Sequence, residues 1–324
     1  MQFMKTVTMA ATAGILALGM GQAQARQFRA ADVQPPDYPT VKALNFMSDE
    51  LGKITNGKDT IKVFPSGQLG SEKDTTEQIE LGAIDMLRIN TGSLNTICPT
   101  LTVAVLPYVF KSVDQMHRVL DGPIGDQLLA SCQSAGMVGL AFYDSGARSF
   151  YTKKPVASLA DLKGMKLRVQ QSDVWVDMIK LLGANPTPLD YGEVFTGLKT
   201  GLIDGAENNW PSLQTAHHYE VVSTYLLDEH SMAPEILVMS KKAFDGLSAD
   251  EQAAVRKAAK DSVPYMRQQW SALEDQSKAI VEKAGVKVVT VDKAPFQAAM
   301  QPLYAKYLTT PEMKDIYAKI QQVN

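Results

Sequence analysis

Apolar and polar positions along this chain write one short grammar twice. In the first half, Asp59 to Phe64 ("DTIKVF") alternates as a half-buried strand does. A turn-rich "PSGQLG" follows, and Ser71 with Asp74 three residues on forms a capping box that opens a helix ending at Gly82. Ala83 to Ile89 reads as a short strand, and Pro99, Pro107 and "LPYVF" mark a bounded loop and apolar segment. "SVDQMHRVLDG" then reads as a helix and Met137 to Tyr143 ("MVGLAFY") as a buried strand. In the second half, Ser158 with Asp161 caps a short helix ending at Gly164, and Lys166 to Gln170 ("KLRVQ") alternates as a strand. "SDVWVDMIKLLG" reads as a helix, the proline-rich "ANPTPLDYG" as a loop, and "EVFTGLKTG" as a helix closing at Gly201. Strands and helices alternating over short links predict an α/β fold with largely parallel sheets.

The repetition extends to a phrase. "GAIDMLRIN" begins at Gly82 and "GLIDGAENN" at Gly201; each follows a helix and closes on Asn. Two lobes of like architecture would each present such a strand end to a shared cleft, and ligands of open α/β sheets bind outside the carboxyl ends of strands. Arg88 and Asn90 end one phrase; Glu207, Asn208 and Asn209 end the other. After Lys241 the texture changes. Ser248 and Glu251 form another capping box, and helical periodicity runs nearly to Gly285 with Pro264 inside it. Such a helix is on the order of 50 Å long, more than one lobe, so it is predicted to lie across both and to bend at Pro264.

Composition narrows the function. Lys5, the uncharged Val7–Met20 and the small residues Ala23 and Ala25 lay out a secretory signal peptide cut after Ala25. The apolar run, about 14 residues, falls short of the ~20 that span a bilayer. The roughly 300 residues that remain suit two lobes. Net charge is −3, and no Lys/Arg run marks a nucleic-acid or anionic-membrane partner. Cys98 and Cys132 are the two cysteines; export permits a disulfide, and two buried thiols fit equally well.

Catalytic signatures are thin. His117, His217, His218 and His230 form no HExxH pattern, and no GxSxG, GxGxxG or Walker loop occurs, so no cofactor or metal is expected. His217 and His218 are adjacent and would point apart on a helix, which suits surface or structural histidines. Arginine is more informative. Arg148 follows the buried strand, and Arg168 lies between Leu167 and Val169 on the opposite face from both. Its planar fork accepts a carboxylate through two parallel hydrogen bonds, as lysine cannot.

From Phe64 to Asn208 the sequence resembles the substrate-binding proteins of TRAP transporters, the tripartite ATP-independent periplasmic systems. The matching strings are "VFPSGQLGSEKD", "LGAIDM", "LPYVF", "DLKGMKLRV", "LGANPTPLDYGEVFTGLKTGLIDGAEN" and the "SGAR" before Phe150. The resemblance implies a two-lobed periplasmic binding protein with hinge strands and a bridging helix: lobe I from residues 26–145 and 234–273, lobe II from 146–233 and 274–324. It implies a monomer that hands a small organic acid to integral membrane permease subunits. Arg168 corresponds to the family's carboxylate clamp, Arg148 to its second ligand-facing arginine, and Asn208 to its cleft asparagine.

"RIN" (Arg88–Asn90), "ENNWPS" (Glu207–Ser212) and "DEHSMAPE" (from Asp228) resemble the branch that binds uronic and other sugar acids. A uronate needs one cation and many hydroxyl partners: Arg88, Asn90, Asn209 and Gln170 fit that task, Glu72 as acceptor only, and Trp210 offers a stacking face or a core residue. That branch carries a histidine in an "HPxDYPT"-like segment where this chain has Gln34. Three arginines would also suit a diacid such as an aldarate. The rival function is an exported sugar-acid lyase using Tyr143 or His230 as base.

Overall fold

The computed structural model describes residues 25–323, so the predicted signal sequence, but for Ala25, lies outside the described residues. In chain order the strands are β1 (Arg26–Ala31), β2 (Asp59–Phe64), β3 (Met86–Asn90), β4 (Met137–Tyr143), β5 (Arg148–Thr152) and β6 (Lys166–Val169). Then come β7 (Asn185–Pro188), β8 (Gly205–Asn208), β9 (Thr224–Ser231), β10 (Glu235–Ser240) and β11 (Lys287–Thr290). They form a five-stranded sheet, β2-β1-β3-β10-β4, and a six-stranded sheet, β11-β9-β5-β8-β6-β7.

Both sheets are mixed, where largely parallel ones were expected. β1, β2 and β3 run parallel, as do β6, β7 and β8. The exceptions share one cause. β4 pairs antiparallel with β10 in the first sheet, and β5 antiparallel with β9 in the second. Chain 137–152 therefore runs beside chain 224–240 in the opposite direction through both sheets. One segment carries the chain from the first sheet to the second and the other carries it back, so the two neighbours are antiparallel in each sheet. Residues 144–147 and 232–234 are the two links of this ribbon.

The long helix is present as Ala249–Lys283, opened by the Ser248–Glu251 capping box, with Pro264 inside it. Its Val255, Ala258, Met266 and Trp270 pack with Tyr38, Leu44 and Leu237 beneath the first sheet. Its Val281 joins Tyr151, Ala206 and Tyr225 beneath the second. One element thus stiffens both units. Helix Pro39–Ile54 buries Val41, Leu44, Met47 and Leu51 against it.

Three segments depart from the sequence reading. The strand expected over 83–89 starts at Met86, because Gly82 takes φ +69° and the Asp85 carboxylate accepts from the Arg29 N–H at 2.7 Å. "NPTP" is an edge strand rather than a loop: Asn185 and Leu189 donate to the neighbouring strand, while Pro186 and Pro188, lacking N–H, fall on the positions between. The last helix, Pro311–Gln322, which the 274–324 range put with lobe II, docks on the first unit: Gln115 donates to the carbonyls of Ile320 (3.2 Å) and Val323 (2.7 Å).

Cys98 and Cys132 are joined in a disulfide with Cα atoms 5.1 Å apart, which excludes the two-thiol alternative. It closes a sequence separation of 34 residues. Loop-closure entropy for such a span is worth about 3–4 kcal/mol in the unfolded chain. The Cys98→Ser, Cys132→Ser double variant should lose about 2–4 kcal/mol in urea unfolding; an unchanged midpoint would show that the crosslink constrains nothing.

Candidate functional site

A small polar cavity of about 20 Å³ lies where strand ends of the two sheets face each other. That is room for little more than a water, so a small-molecule ligand needs the two walls further apart than they stand here. One wall carries Val33 and Gln34 after β1, Glu72 at the start of its helix, Arg88 and Asn90 of β3, and Glu235 of β10. The other carries Arg148, Arg168, Gln170, Tyr191, Asn208 and Ser212. The walls touch at their margins: Ser172 Oγ donates to Asn95 Oδ1 at 3.1 Å, and the Tyr38 and Ser212 hydroxyls lie 2.9 Å apart. Gly92 is required at this approach, since a Cβ there would sit 2.2 Å from Trp175 Nε1 and 2.5 Å from Gln170 Oε1.

Of the eight ligand-binding candidates, Arg168, Arg148, Asn208, Arg88, Asn90, Gln170 and Glu72 come together here, and Asn209 does not. Its Oδ1 caps helix Trp210–Thr215 through the Ser212 N–H at 2.8 Å, and its Nδ2 points to Ser145 Oγ. Trp210 is also elsewhere, packed edge-on against Tyr225 at 4.3 Å in the core. The sequence reading missed Tyr191, Ser212 and Glu235. Tyr191 stood inside the long matching string, but nothing in its spacing marks a cavity residue.

The three arginines differ in what they already hold. Arg148 spans both oxygens of Glu207, Nε to Oε2 at 2.6 Å and Nη2 to Oε1 at 2.8 Å, and its Nη1 donates to Asn208 Oδ1 at 3.0 Å. Burial opposes its charge, yet Glu207 holds it above its ordinary value. Arg88 is equally committed: Nε donates to Asp32 Oδ2 at 2.9 Å, Nη2 to Asp32 Oδ1, and Nη1 to Glu235 Oε2 at 2.7 Å. Arg168 is not. It is 3% exposed, its Nε donates to the Leu189 carbonyl at 2.8 Å, and among the described residues no carboxylate pairs with it. Burial pushes its guanidinium below the ordinary value. A buried charge without a counter-ion is costly, and here its cost is left standing beside a cavity.

Other groups are also unspent. Among the described residues, Gln34 Oε1, Gln170 Oε1 and the Tyr191 hydroxyl are buried without a partner, although buried polar atoms are nearly always bonded. Asn208 uses its Oδ1 twice, for Arg148 and for the Asn209 N–H at 2.9 Å. Its Nδ2, by contrast, makes no hydrogen bond among the described residues. Among the described residues, the cavity thus offers one cation without a carboxylate partner, an amide donor and several acceptors. That set matches an organic anion bearing hydroxyls.

A family description, bacterial extracellular solute-binding protein, family 7, matches residues 30–310. The chain belongs to this family. Solved TRAP periplasmic solute-binding proteins share its fold. One from Xanthobacter autotrophicus Py2, with bound β-D-galacturonate, is 64% identical over 92% of this chain and 100% of that one, with a TM-score of 0.91. Another from a Bradyrhizobium species, in complex with α/β-D-galacturonate, is 57% identical over 91% and 99%, TM-score 0.90. A third from Pseudomonas putida F1, with bound D-glucuronate, is 39% identical over 92% and 98%, TM-score 0.90. The TRAP resemblance and the two-lobed α/β architecture therefore hold, and so does the likeness to the uronate branch.

Family members bind solutes and are not enzymes, and the lyase reading loses both of its bases. The Tyr143 hydroxyl lies 2.7 Å from Ser262 Oγ, and burial raises its pKa. His230 is buried between two carboxylates, its Nδ1 2.8 Å from Asp228 Oδ2 and its Nε2 3.5 Å from Glu207 Oε2. His218 is a structural histidine, with Nδ1 2.8 Å from the Tyr151 hydroxyl, and burial lowers it to about 3. His217 is exposed and faces Glu220.

The His230 pair carries a pH signature. Burial works against its charge, but Asp228 and then Glu207 raise it to about 9. Unfolding returns it to ~6.5. The stabilisation is therefore complete below pH 6.5 and is lost as pH rises through about 9. Urea melts of the protein should show stability falling across this window, with a flatter profile for His230→Gln. Parallel profiles for the two proteins would remove His230 from the account.

Proposed function

We propose that this protein is the periplasmic receptor of a TRAP transporter for a hexuronate, D-galacturonate foremost, which it hands to membrane permease subunits unaltered. The observation that carries the reading is Arg168: a buried guanidinium at a polar cavity with no acidic partner among the described residues. A ligand carboxylate supplies the missing counter-ion through a two-point contact. Asn208 orients that carboxylate through its Nδ2. Arg148, already held by Glu207, fixes Asn208 rather than serving as a second full clamp. Gln170 and Tyr191 meet ring hydroxyls from the wall of Arg168, with Gln34, Asn90, Arg88 and Glu72 on the facing wall. Gln34 takes the place of the branch's histidine as an uncharged partner.

The galacturonate preference is supported by the relatives at 64% and 57% identity, which hold that sugar acid, whereas glucuronate is held by one at 39%. The proposed lobes are 26–145 with 234–273, and 146–233 with the chain from 274 onward, less the last helix. Closure pivots on the ribbon links at 144–147 and 232–234.

Two measurements test this. Purified, ligand-stripped protein should gain about 4 kcal/mol from D-galacturonate at 1,000 times its Kd, visible as a clear rise in Tm. A rise for C4-dicarboxylates or sialic acid alone would keep the transporter role and remove the uronate. Arg168→Lys should weaken galacturonate binding by ~2–5 kcal/mol in calorimetry, because the planar fork is lost. Unchanged affinity would end the clamp assignment.

A further inference from the structure

The charges of the two walls are unequal, and in opposite senses. On the wall of β6 and β8, Arg148 and Arg168 face one carboxylate, Glu207. On the wall of β3 and β10, a single guanidinium, Arg88, is gripped by two carboxylates, Asp32 and Glu235. Those carboxylates are built in: Asp32 also accepts from Thr40 Oγ1 (2.8 Å) and the Gln34 N–H (2.8 Å), and Glu235 Oε1 from Asn90 Nδ2 (3.0 Å). Glu72 stands on the same wall, its Oε2 accepting from Ser93 Oγ at 2.5 Å. Even if Glu72 were neutral, this wall would hold two negative charges against one positive. Arg88 has no charge to spare for an incoming anion.

We infer that the Asp32–Arg88–Glu235 triad is a charge filter: it admits the hydroxyl-bearing end of a sugar monoacid and rejects a second carboxylate. The inference rests on the reading of the cavity as a sugar-acid receptor and adds which sugar acids it refuses. A cavity positive at one wall and negative at the other selects a molecule with its anion at one end and hydrogen-bond donors at the other. Acceptors on Glu235, on Glu72 and on Gln34 Oε1, unpartnered among the described residues, take hydroxyl hydrogens; a carboxylate placed there meets like charge in a buried site, which disfavours it strongly. Three arginines in one cavity suggest an aldarate receptor by count. Their partners reverse that conclusion.

The test compares D-galacturonate, galactonate and galactarate by calorimetry on wild type, Glu235→Gln and Glu72→Gln, each checked for folding by circular dichroism. Wild type should prefer the better of the two monoacids over galactarate by ~100-fold or more. Removing one carboxylate in Glu235→Gln should narrow that ratio at least tenfold, with Glu72→Gln shifting it the same way. Galactarate binding wild type as tightly as the monoacids, or an unchanged ratio in both variants, overturns the filter. If Glu235→Gln fails to fold, the wild-type ratio and Glu72→Gln decide. Galactonate bound in preference to galactarate, with galacturonate ignored, keeps the filter and discards the uronate. No binding of any of the three discards both.

Discussion

A buried guanidinium with no carboxylate partner among the described residues, set beside a polar cavity, is the constraint on which this molecule's design turns. Folding normally removes such a group or pairs it, and the chain does pair two of its three cavity arginines. Arg88 is bound by Asp32 and Glu235, and Arg148 by Glu207. Arg168 alone stays unmet among the described residues, anchored through Nε to a carbonyl so that its fork is fixed. A binding protein needs this imbalance. Had the site been electrically complete, a ligand carboxylate would have had to displace a side chain and lose most of its binding energy in doing so.

Holding that geometry requires two rigid walls and a joint between them. The antiparallel ribbon of β4–β5 and β9–β10 provides the joint, and the long helix underlies both sheets. The same ribbon delivers site residues: Arg148 opens β5 and Glu235 opens β10, each just past a link. In the proposed closure, bending at the links would move the cavity walls directly, without a lever arm of intervening loops.

Much of this was legible beforehand, for physical reasons. Alternation with Leu167 and Val169 put the Arg168 side chain on the face away from both, but it was the resemblance to TRAP binding proteins, not the spacing, that made it a ligand candidate. The capping boxes at Ser71, Ser158 and Ser248 are local hydrogen-bond patterns, and all three form. What stayed hidden is non-local. Arg88 and Glu235 are 147 residues apart, and Arg148 and Glu207 are 59 apart, so no window on the sequence pairs them. Strand direction was hidden likewise, because antiparallel pairing at the ribbon depends on where the chain changes sheets. Asn209 failed for a local reason: beside Trp210-Pro211, its oxygen was better placed to cap a helix than to face a ligand. The prolines of β7 misled because an edge position tolerates them.

The crosslink between Cys98 and Cys132 has a further consequence. Both cysteines belong to the segment between β3 and β4, on one side of the joint. The covalent staple therefore hardens a single jaw and places no tether across the mouth. The oxidised pair stiffens one wall of the cavity and leaves the contacts between the two walls to non-covalent forces alone.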